Sequence, residues 1–326
     1  MKTAIEVLDA FENIRRAQRA GVYAPHKPLL ILLALARAQR GEPRLVEFAS
    51  IDALLKQLLS EFGPSSAAKS RHYPFWHLST DGHGALWDLS GPRDVLNLPA
   101  ATTPSLSELR EHHIKAGFPA DVYEALRHIP GLLEAVASRV LDTAFPPTLH
   151  ADIVATLGLD LEGANELRDG AQPASDYITA ERHRRNPGFR ERVLRAYEYR
   201  CCVCGFDLRI GHTPAGLEAA HIQWHHVGGP DIESNGLSLC SLHHKLFDLG
   251  VFTVEPEEHR VIFSQHAISG SRGMTGELQF HGQPIHAPQH NDLLPEPEFL
   301  AWNTKNVFKM PARHVTPPTA ALRSRS

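Results

Sequence analysis

Hydrophobic residues in the first half of the chain recur every three or four positions, as they do along the buried face of an amphipathic helix. Thr3 and Glu6 stand at the head of the first such run, and their spacing fits a capping box. The same periodicity predicts further helices over residues 27–40, 50–62, 119–128 and 131–141. Residues 63–104, rich in Gly, Pro and Ser, are predicted to be irregular. The pattern therefore indicates an all-helical N-terminal domain.

The pattern changes in the second half, where short strand-like runs, turns and a cluster of His and Cys replace the long helical stretches. Between the halves, residues 157–182 have little apolar periodicity, which is typical of a linker. The sequence thus predicts a multidomain protein of class α and α+β. Its predicted parts are an all-helical domain over residues 1–158, a linker over 159–181, an α+β domain over 182–312 and a disordered tail over 313–326.

The composition is that of a folded protein without a uniformly basic surface. Of 326 residues, 42% are hydrophobic and 21% are charged, which is enough apolar material for two buried cores. The formal net charge of −4 excludes a uniformly positive nucleic-acid coat but permits a local basic stripe. The longest apolar run, residues 29–36, is too short to span a bilayer, and the N-terminus lacks the features of a signal peptide. These features predict a cytoplasmic protein with no membrane partner.

One basic stripe precedes the cysteine cluster. Residues 181–200 contain seven Arg and three Glu, a local net charge of +4. Phe189, Val193 and Tyr197 recur there at helical spacing, so one face of the predicted helix packs. The Arg side chains either form a solvated helix face or contact DNA phosphates. The candidate phosphate contacts are Arg184, Arg185, Arg190 and Arg192.

All four Cys lie between residues 201 and 240, which indicates a metal site in a reducing compartment rather than a disulfide framework. Cys201 and Cys204 form a C-x-x-C turn, and Cys240 and His243 repeat this spacing about 35 residues later. Three thiolates and one imidazole are a donor set that suits tetrahedral zinc. The sequence therefore predicts a structural Zn²⁺ held by these four residues, with buried free thiols as the alternative.

Inside the loop that this metal closes, a His, an Asn and a second His follow at fixed spacing. His221 ends the run LEAAH, Asn235 comes 14 residues later, and His244 comes 9 residues after that. In the order and spacing of these residues and in the flanking metal-ligand pairs, residues 185–249 resemble the HNH (ββα-metal) nuclease family. The resemblance implies a zinc-stapled ββα-metal (HNH) nuclease domain that hydrolyses phosphodiester bonds. A degenerate fold that keeps only the zinc is the alternative.

The HNH resemblance also implies a role for each residue. His221 would be the general base, Asn235 would orient it through a loop hydrogen bond, and His244 would bind a catalytic divalent cation such as Mg²⁺ or Mn²⁺. Asp248 lies four residues after His244, hence on the same helix face, and is predicted as a second ligand of that cation.

One position departs from the family pattern. Many HNH nucleases place an Asp or His directly before the base, where this chain has Ala220. An alanine cannot bind a metal ion. Either water fills the ligand position, or the carboxylate of Glu218 reaches it from the same strand face.

The N-terminal half carries its own unusual run. Residues 71–78 hold three aromatic rings, a Pro and three basic or titratable groups, and a loop that anchors the core explains the Phe and Trp among them. Two features of this half form a pattern. His26, Lys27 and Pro28 stand at the head of an apolar helix, and Tyr73 and Pro74 follow about 46 residues later. In these features the half resembles the sulfur-binding domains that recognise phosphorothioated DNA. Such domains occur fused to HNH nucleases in bacterial restriction enzymes. The resemblance implies a shallow sulfur pocket formed by Tyr73, Pro74 and His77, and contacts to phosphates or base edges from His26, Lys27 and Arg71.

Together the two resemblances predict a bacterial restriction endonuclease that recognises phosphorothioate-modified double-stranded DNA and hydrolyses phosphodiester bonds nearby. A homodimer would be one way to cut both strands. Two alternatives stay open. The first is an HNH restriction nuclease for methylated or other modified bases, with Tyr73 and Trp76 lining a pocket for a flipped base. The second is a non-catalytic zinc-containing DNA-binding protein.

Overall fold

The computed structural model describes residues 2–12, 24–80, 86–99, 102–162, 187–268 and 273–314. The chain divides into two compact units, Met1–Arg184 and Arg185–Ser326. Most of the predicted linker, the predicted tail from residue 315 onwards, and Arg184 and Arg185 lie outside the described residues. Where the chain is described, it contains no helix that is both long enough and apolar enough to cross a bilayer.

The N-terminal unit is built mainly from helices. The predicted capping box is present, because the backbone N–H of Glu6 donates to Thr3 Oγ1 at 3.3 Å and that of Thr3 donates to Glu6 Oε2 at 2.8 Å. Most of the second helix is buried on all sides. The helices are Ala4–Glu12, His26–Gln39, Phe48–Phe62, His72–His77, Arg93–Leu96, Leu106–Glu111, Ala120–His128, Leu132–Ala144 and Pro147–Leu157.

The expectation of an all-helical N-terminal domain is wrong, because this unit also holds a small antiparallel sheet. Its strands are β1 (Val46–Glu47), β2 (Asp88–Ser90) and β3 (Lys115–Gly117), in the order β1-β3-β2. Strands of two or three residues are too short to show a period-two pattern in the sequence. The central strand, β3, lies close to the backbone of Arg44, since a Cβ at Gly117 would lie 1.9 Å from the carbonyl oxygen of Arg44.

Residues 63–104, predicted to be irregular, contain a short helix, His72–His77. Pro74 is tolerated there because the first turn of a helix has no intrahelical partner for its backbone N–H groups. Phe75 is fully buried, and its ring packs edge-on against that of Phe48 with centroids 5.0 Å apart. The backbone carbonyl of Phe75 accepts a hydrogen bond from Trp87 Nε1 at 3.0 Å. Phe75 and Trp76 therefore fix a short helix to the core, where the sequence suggested a loop.

The C-terminal unit centres on a β-hairpin followed by a helix. After two short strands, β4 (Arg209–Ile210) and β5 (Thr213–Pro214), strand β6 (Leu217–His221) pairs antiparallel with β7 (Gly236–Cys240). The helix Ser241–Asp248 begins directly after β7. The register places His221 opposite Gly236 and Leu217 opposite Cys240. The other elements are the helices Pro187–Ala196, Gly273–Leu278 and Pro297–Asn306 and the strands β8 (Phe252–Val254) and β9 (Val261–Phe263).

The helix Pro187–Ala196 packs directly on this hairpin. A Cβ at Gly236 would lie 2.4 Å from Val193 Cγ2, so the strand can approach the helix only because it has glycine there. Val193, Leu237 and Leu239 are fully buried in the core of this unit. The unit therefore has the ββα arrangement that the HNH resemblance implies.

Candidate functional site

Cys201, Cys204, Cys240 and His243 come together as the sequence predicts. Their ligand atoms all lie within 4.8 Å of one another, and His243 Nδ1 lies 3.2 Å from Cys240 Sγ and 3.5 Å from Cys201 Sγ. A tetrahedral ion with bonds of about 2.3 Å to sulfur and 2.0 Å to nitrogen needs ligand-to-ligand spacings of about 3.5–3.8 Å. The four residues therefore fit a single tetrahedral metal ion. Within the described ranges, no other group of three or more His, Cys, Asp or Glu side chains converges in this way.

The electrostatics of this cluster also favour a cation. Hydrogen bonds from the thiols of Cys204 and Cys240 lower the pKa of Cys201 to about 3, whereas the neighbouring sulfur of Cys201 raises the pKa of Cys204. Three sulfur atoms at this spacing cannot all ionise without a positive charge among them. Cys202, the fourth cysteine, is fully buried and lies outside the ligand set.

His243 is held from its far side by a residue that sequence analysis missed. Its Nε2 lies 2.9 Å from Glu277 Oε2, while its Nδ1 faces the sulfur atoms. A carboxylate behind a ligating His fixes the tautomer and the ring orientation. Glu277 lies 34 residues from His243, so no local motif connects the two.

His221 stands at the end of β6, packed between an aromatic ring and a carboxylate. Its ring stacks on Phe189 with centroids 4.0 Å apart, and its Nε2 lies 2.8 Å from Asp231 Oδ1. The side chains of His221 and Asp231 are 11% and 17% exposed, so the pair is largely shielded from water. The sequence predicted His221 but not Asp231.

Among the described residues, the side-chain amide of Asn235 bonds to backbone groups and not to the His221 ring. Its Nδ2 donates to the carbonyls of Gln223 and Pro230, and its Oδ1 accepts from the backbone N–H of Gln223 at 2.8 Å. The amide is fully buried and closes the loop between β6 and β7. In addition, the backbone carbonyl of Asn235 accepts from Ile222 N–H at 2.9 Å, directly beside His221.

His244 lies between two carboxylates, one at each ring nitrogen. Glu218 Oε2 is 2.5 Å from Nδ1, and Asp248 Oδ2 is 3.3 Å from Nε2. Burial alone lowers the pKa of His244, but the two carboxylates outweigh burial and raise it to about 9. Asp248, predicted as a metal ligand, is almost completely buried and also accepts a hydrogen bond from Trp224 Nε1 at 2.9 Å.

The donor set around His244 suits a divalent cation on one side of the ring. The Glu218 side chain is 43% exposed and that of Asp248 is 2% exposed, so Glu218 is the accessible carboxylate of the two. One imidazole nitrogen, one carboxylate and several waters or phosphate oxygens are ordinary ligands of Mg²⁺ or Mn²⁺. Since Ala220 offers no ligand atom, Glu218 on the same face of β6 is the residue closest to that role.

Two of the four candidate phosphate contacts are described, and both make internal bonds. Arg190 Nη2 donates to the Leu217 carbonyl at 2.8 Å. Arg192 donates to Glu233 Oε1 at 2.8 Å and to the Asp231 carbonyl at 2.7 Å. These two guanidinium groups therefore brace the hairpin and its loop.

In the N-terminal unit, the structure exposes one ring of the predicted sulfur pocket. Tyr73 is 50% exposed, and its ring stacks on that of His77 with centroids 5.9 Å apart. Pro74, between them in sequence, is buried. His77 Nε2 lies 2.6 Å from Thr103 Oγ1. Trp76 is buried in the core at 8% exposure, which disfavours a pocket in which it and Tyr73 would enclose a flipped base.

Arg71 and His26 are engaged inside this unit. Arg71 donates to both carboxylate oxygens of Asp52, at 2.5 and 3.2 Å, and Arg110 donates to the same carboxylate. Burial raises the pKa of Asp52, but the two Arg outweigh burial and lower it.

His26 Nε2 lies 2.9 Å from the Ala67 carbonyl, and burial lowers the pKa of His26. Lys27 follows His26 in the first turn of the same helix and is half-buried.

Comparison with known proteins matches each half of the chain to a family. Residues 4–162 match the family described as ScoMcrA-like, DNA sulfur-binding domain, and residues 201–255 match the family described as HNH endonuclease. No curated protein matches the chain.

Three solved structures that resemble the chain are identical to it at fewer than a quarter of the aligned positions. The sulfur-binding domain of ScoMcrA complexed with phosphorothioated DNA is 23% identical, covers 51% of this chain and 98% of its own, and has a TM-score of 0.40. The sulfur-binding domain of SprMcrA complexed with phosphorothioated DNA is 22% identical, covers 48% of this chain and 95% of its own, and has a TM-score of 0.37. The Type IV phosphorothioation-dependent restriction endonuclease ScoMcrA is 24% identical over 54% of this chain, with a TM-score of 0.38. The chain spans 31% of that enzyme.

Proposed function

We propose that this chain, a ScoMcrA-like DNA sulfur-binding domain followed by an HNH endonuclease domain, is a phosphorothioate-dependent restriction endonuclease that cuts DNA near the modification. The observation that carries the proposal is the presence of both family matches in one chain. The sulfur-binding domain would recognise the modified DNA backbone, and the HNH domain would cut the DNA near it. The geometry of each unit supports roles for individual residues.

In the nuclease unit, we assign His221 as the general base that takes a proton from the attacking water. The water oxygen then bonds to phosphorus, and the bond from phosphorus to the 3′ oxygen breaks. His244 and Glu218 would hold the divalent cation, and Asp248 would fix the His244 ring from its buried side. When bound, this cation stabilises negative charge on the phosphoryl oxygens and on the leaving oxygen.

The Cys3His cluster has a separate, structural task. It ties the turn at Cys201 and Cys204 to the end of β7 and the start of the following helix. That junction also carries His244, so a metal bound by these four residues would hold the helix that bears the catalytic cation ligand. Zinc is the metal we propose there, because three thiolates and an imidazole in tetrahedral array suit it best.

In the reader unit, we assign the sulfur pocket to Tyr73, Pro74 and His77. A phosphorothioate has a softer and less hydrated atom in place of one oxygen, with the charge of the diester kept. Removing roughly 40 Å² of sulfur surface from water gives only about 1 kcal/mol at ~25 cal/mol/Å², which is less than tenfold in affinity. Strong selectivity therefore also requires that an ordinary phosphate oxygen lose its water in this pocket without gaining a donor.

The other three residues predicted to contact DNA would act in different ways. Lys27 can add sequence-independent attraction to phosphates. Arg71 and His26 would act by shaping the unit, because both are engaged in internal bonds. A homodimer that cuts both strands remains a prediction, which sedimentation of the chain with and without DNA would test. As a restriction enzyme, the protein would meet its DNA in the bacterial cytoplasm.

A cleavage assay tests the proposal. Two duplexes of identical sequence, one with phosphorothioate linkages and one without, are incubated with the chain and Mg²⁺ or Mn²⁺. We expect cutting of the modified duplex alone, and no cutting by His221→Ala, which should still bind it. Tyr73→Ala should reduce the preference for the modified duplex. Equal cutting of both duplexes would remove the reader assignment, and undiminished cutting by His221→Ala would remove the assignment of the base.

A further inference from the structure

Asp231 contacts the side chain assigned as the general base, although no sequence motif singles it out. Its Oδ1 lies 2.8 Å from His221 Nε2. We propose that Asp231 is the positioning residue of the nuclease unit, and that its carboxylate keeps a proton on His221 Nε2 so that Nδ1 takes the proton of the attacking water. This inference rests on the proposed function, since it concerns how the assigned base works.

The loop that carries Asp231 is built to hold it in place. The buried amide of Asn235 donates to the carbonyl of Pro230, the residue directly before Asp231, at 2.9 Å. A Cβ at Gly229 would lie 1.8 Å from the Gln223 carbonyl oxygen, so the loop closes tightly on the end of β6. Arg192 donates to the backbone carbonyl of Asp231 at 2.7 Å. The role that the HNH resemblance gives to Asn235 is therefore exerted through the loop, and Asp231 is the side chain that it delivers to the base.

The surroundings of the pair restrict how the His221 ring can turn. Phe189 stacks on one face of the ring, which fixes its plane. Among the described residues, the charged or titratable groups at this place include His225, whose Nε2 lies 4.0 Å from Asp231 Oδ1, and the ion pair of Arg192 with Glu233. A carboxylate bonded to Nε2 favours the neutral tautomer with its proton on that atom and also stabilises the imidazolium that forms after proton transfer.

The proton balance is simple. One O–H bond of water breaks as its proton goes to Nδ1 and its oxygen bonds to phosphorus. The 3′ oxygen leaves with the electron pair of the broken bond and takes a proton from solvent. His221 then returns its proton to solvent, and no oxidant or other reactant is needed.

The substitution Asp231→Asn tests the inference because it keeps the size of the side chain and removes the charge. With the full chain and phosphorothioated duplex, we expect kcat to fall by about 10²–10⁴-fold, with KM within a few-fold of the wild-type value. The acidic limb of the pH–rate profile should move to lower pH, because the carboxylate that favours the imidazolium is gone. Asp292→Asn, at an exposed position in the same unit, is the matched control and should behave as wild type.

A second measurement does not depend on cleavage. Long-range ¹H–¹⁵N spectra of the zinc-loaded wild-type chain with ¹⁵N-labelled His report which nitrogen carries the proton, and the His221→Ala spectrum identifies the His221 signals. We expect a protonated Nε2 and an unprotonated Nδ1 near neutral pH.

The outcomes separate the two proposals. A wild-type enzyme that cuts, together with an Asp231→Asn variant that cuts equally fast over the same pH range, overturns the role of Asp231 and leaves the nuclease in place. If the wild-type chain cuts no modified DNA, the proposed function fails, and the spectra still decide on the pair. A His221 whose proton resides on Nδ1 refutes the inference in either case.

Discussion

Arg71 offers a sharp test of whether a residue expected to contact DNA serves the fold instead. The resemblance to sulfur-binding domains implies a DNA contact, whereas the structure pairs Arg71 with Asp52 through two hydrogen bonds. Both residues are 8% exposed, so the ion pair is buried. We therefore predict that substituting either partner destabilises the N-terminal unit, and that any loss of DNA binding follows from unfolding.

The structure also predicts that the two substitutions have unequal effects. Asp52→Ala leaves the Arg71 guanidinium buried without its carboxylate, and breaking a buried pair in this way costs about 3–5 kcal/mol. Arg71→Ala leaves Asp52 with Arg110, whose side chain is 46% exposed, so the remaining charge is partly compensated. We expect Arg71→Ala to lose less free energy of unfolding than Asp52→Ala, about 2 kcal/mol. Arg110→Ala should cost no more than about 1 kcal/mol, because exposed pairs contribute little.

Thermal unfolding and DNA binding together separate fold from contact. For a unit of this size, 3–5 kcal/mol corresponds to a fall in Tm of about 10 °C, which calorimetry of the full chain resolves. The decisive variant is the double substitution Asp52→Leu with Arg71→Met, which replaces the pair by apolar groups and should regain much of the lost stability. If it folds and still prefers phosphorothioated DNA, Arg71 is structural. A folded double variant that no longer binds modified DNA would refute the reasoning and restore Arg71 as a contact residue.

Two further predictions concern the metal cluster and pH. Glu277→Ala should weaken zinc binding by the Cys3His cluster by about 10–100-fold, measured by chelator competition, and an unchanged affinity would contradict the role of Glu277 behind His243. Burial lowers the pKa of His26 from its ordinary value of 6.5, so the neutral form is the stable one in the folded unit. Its stabilising effect is complete above about pH 6.5 and is lost as pH falls through the lowered pKa. We expect Tm to drop at acid pH in the wild type and less in His26→Gln, and equal drops would disprove this origin.

Much of the chain could be predicted because the relevant information is local. The long helices show their periodicity within a single segment, and the capping box of Thr3 and Glu6 spans four residues. The Cys3His set was recognisable because each ligand pair has the C-x-x-C or C-x-x-H spacing that one tetrahedral ion requires. His221, Asn235 and His244 were found by resemblance, from their order and spacing within the metal-closed loop.

The partners of these residues were decided only by the tertiary structure. Asp52 lies 19 residues from Arg71, Glu277 lies 34 from His243, and Glu218 lies 26 from His244, and no short motif links any of these pairs. The three short strands of the N-terminal unit were invisible for the related reason that two or three residues show no period. A charged side chain takes its role from whatever folding brings within about 3 Å of it, because burial and the nearest opposite charge set its energy. Sequence spacing determined which groups could bind metal, and chain packing determined which carboxylate holds each imidazole.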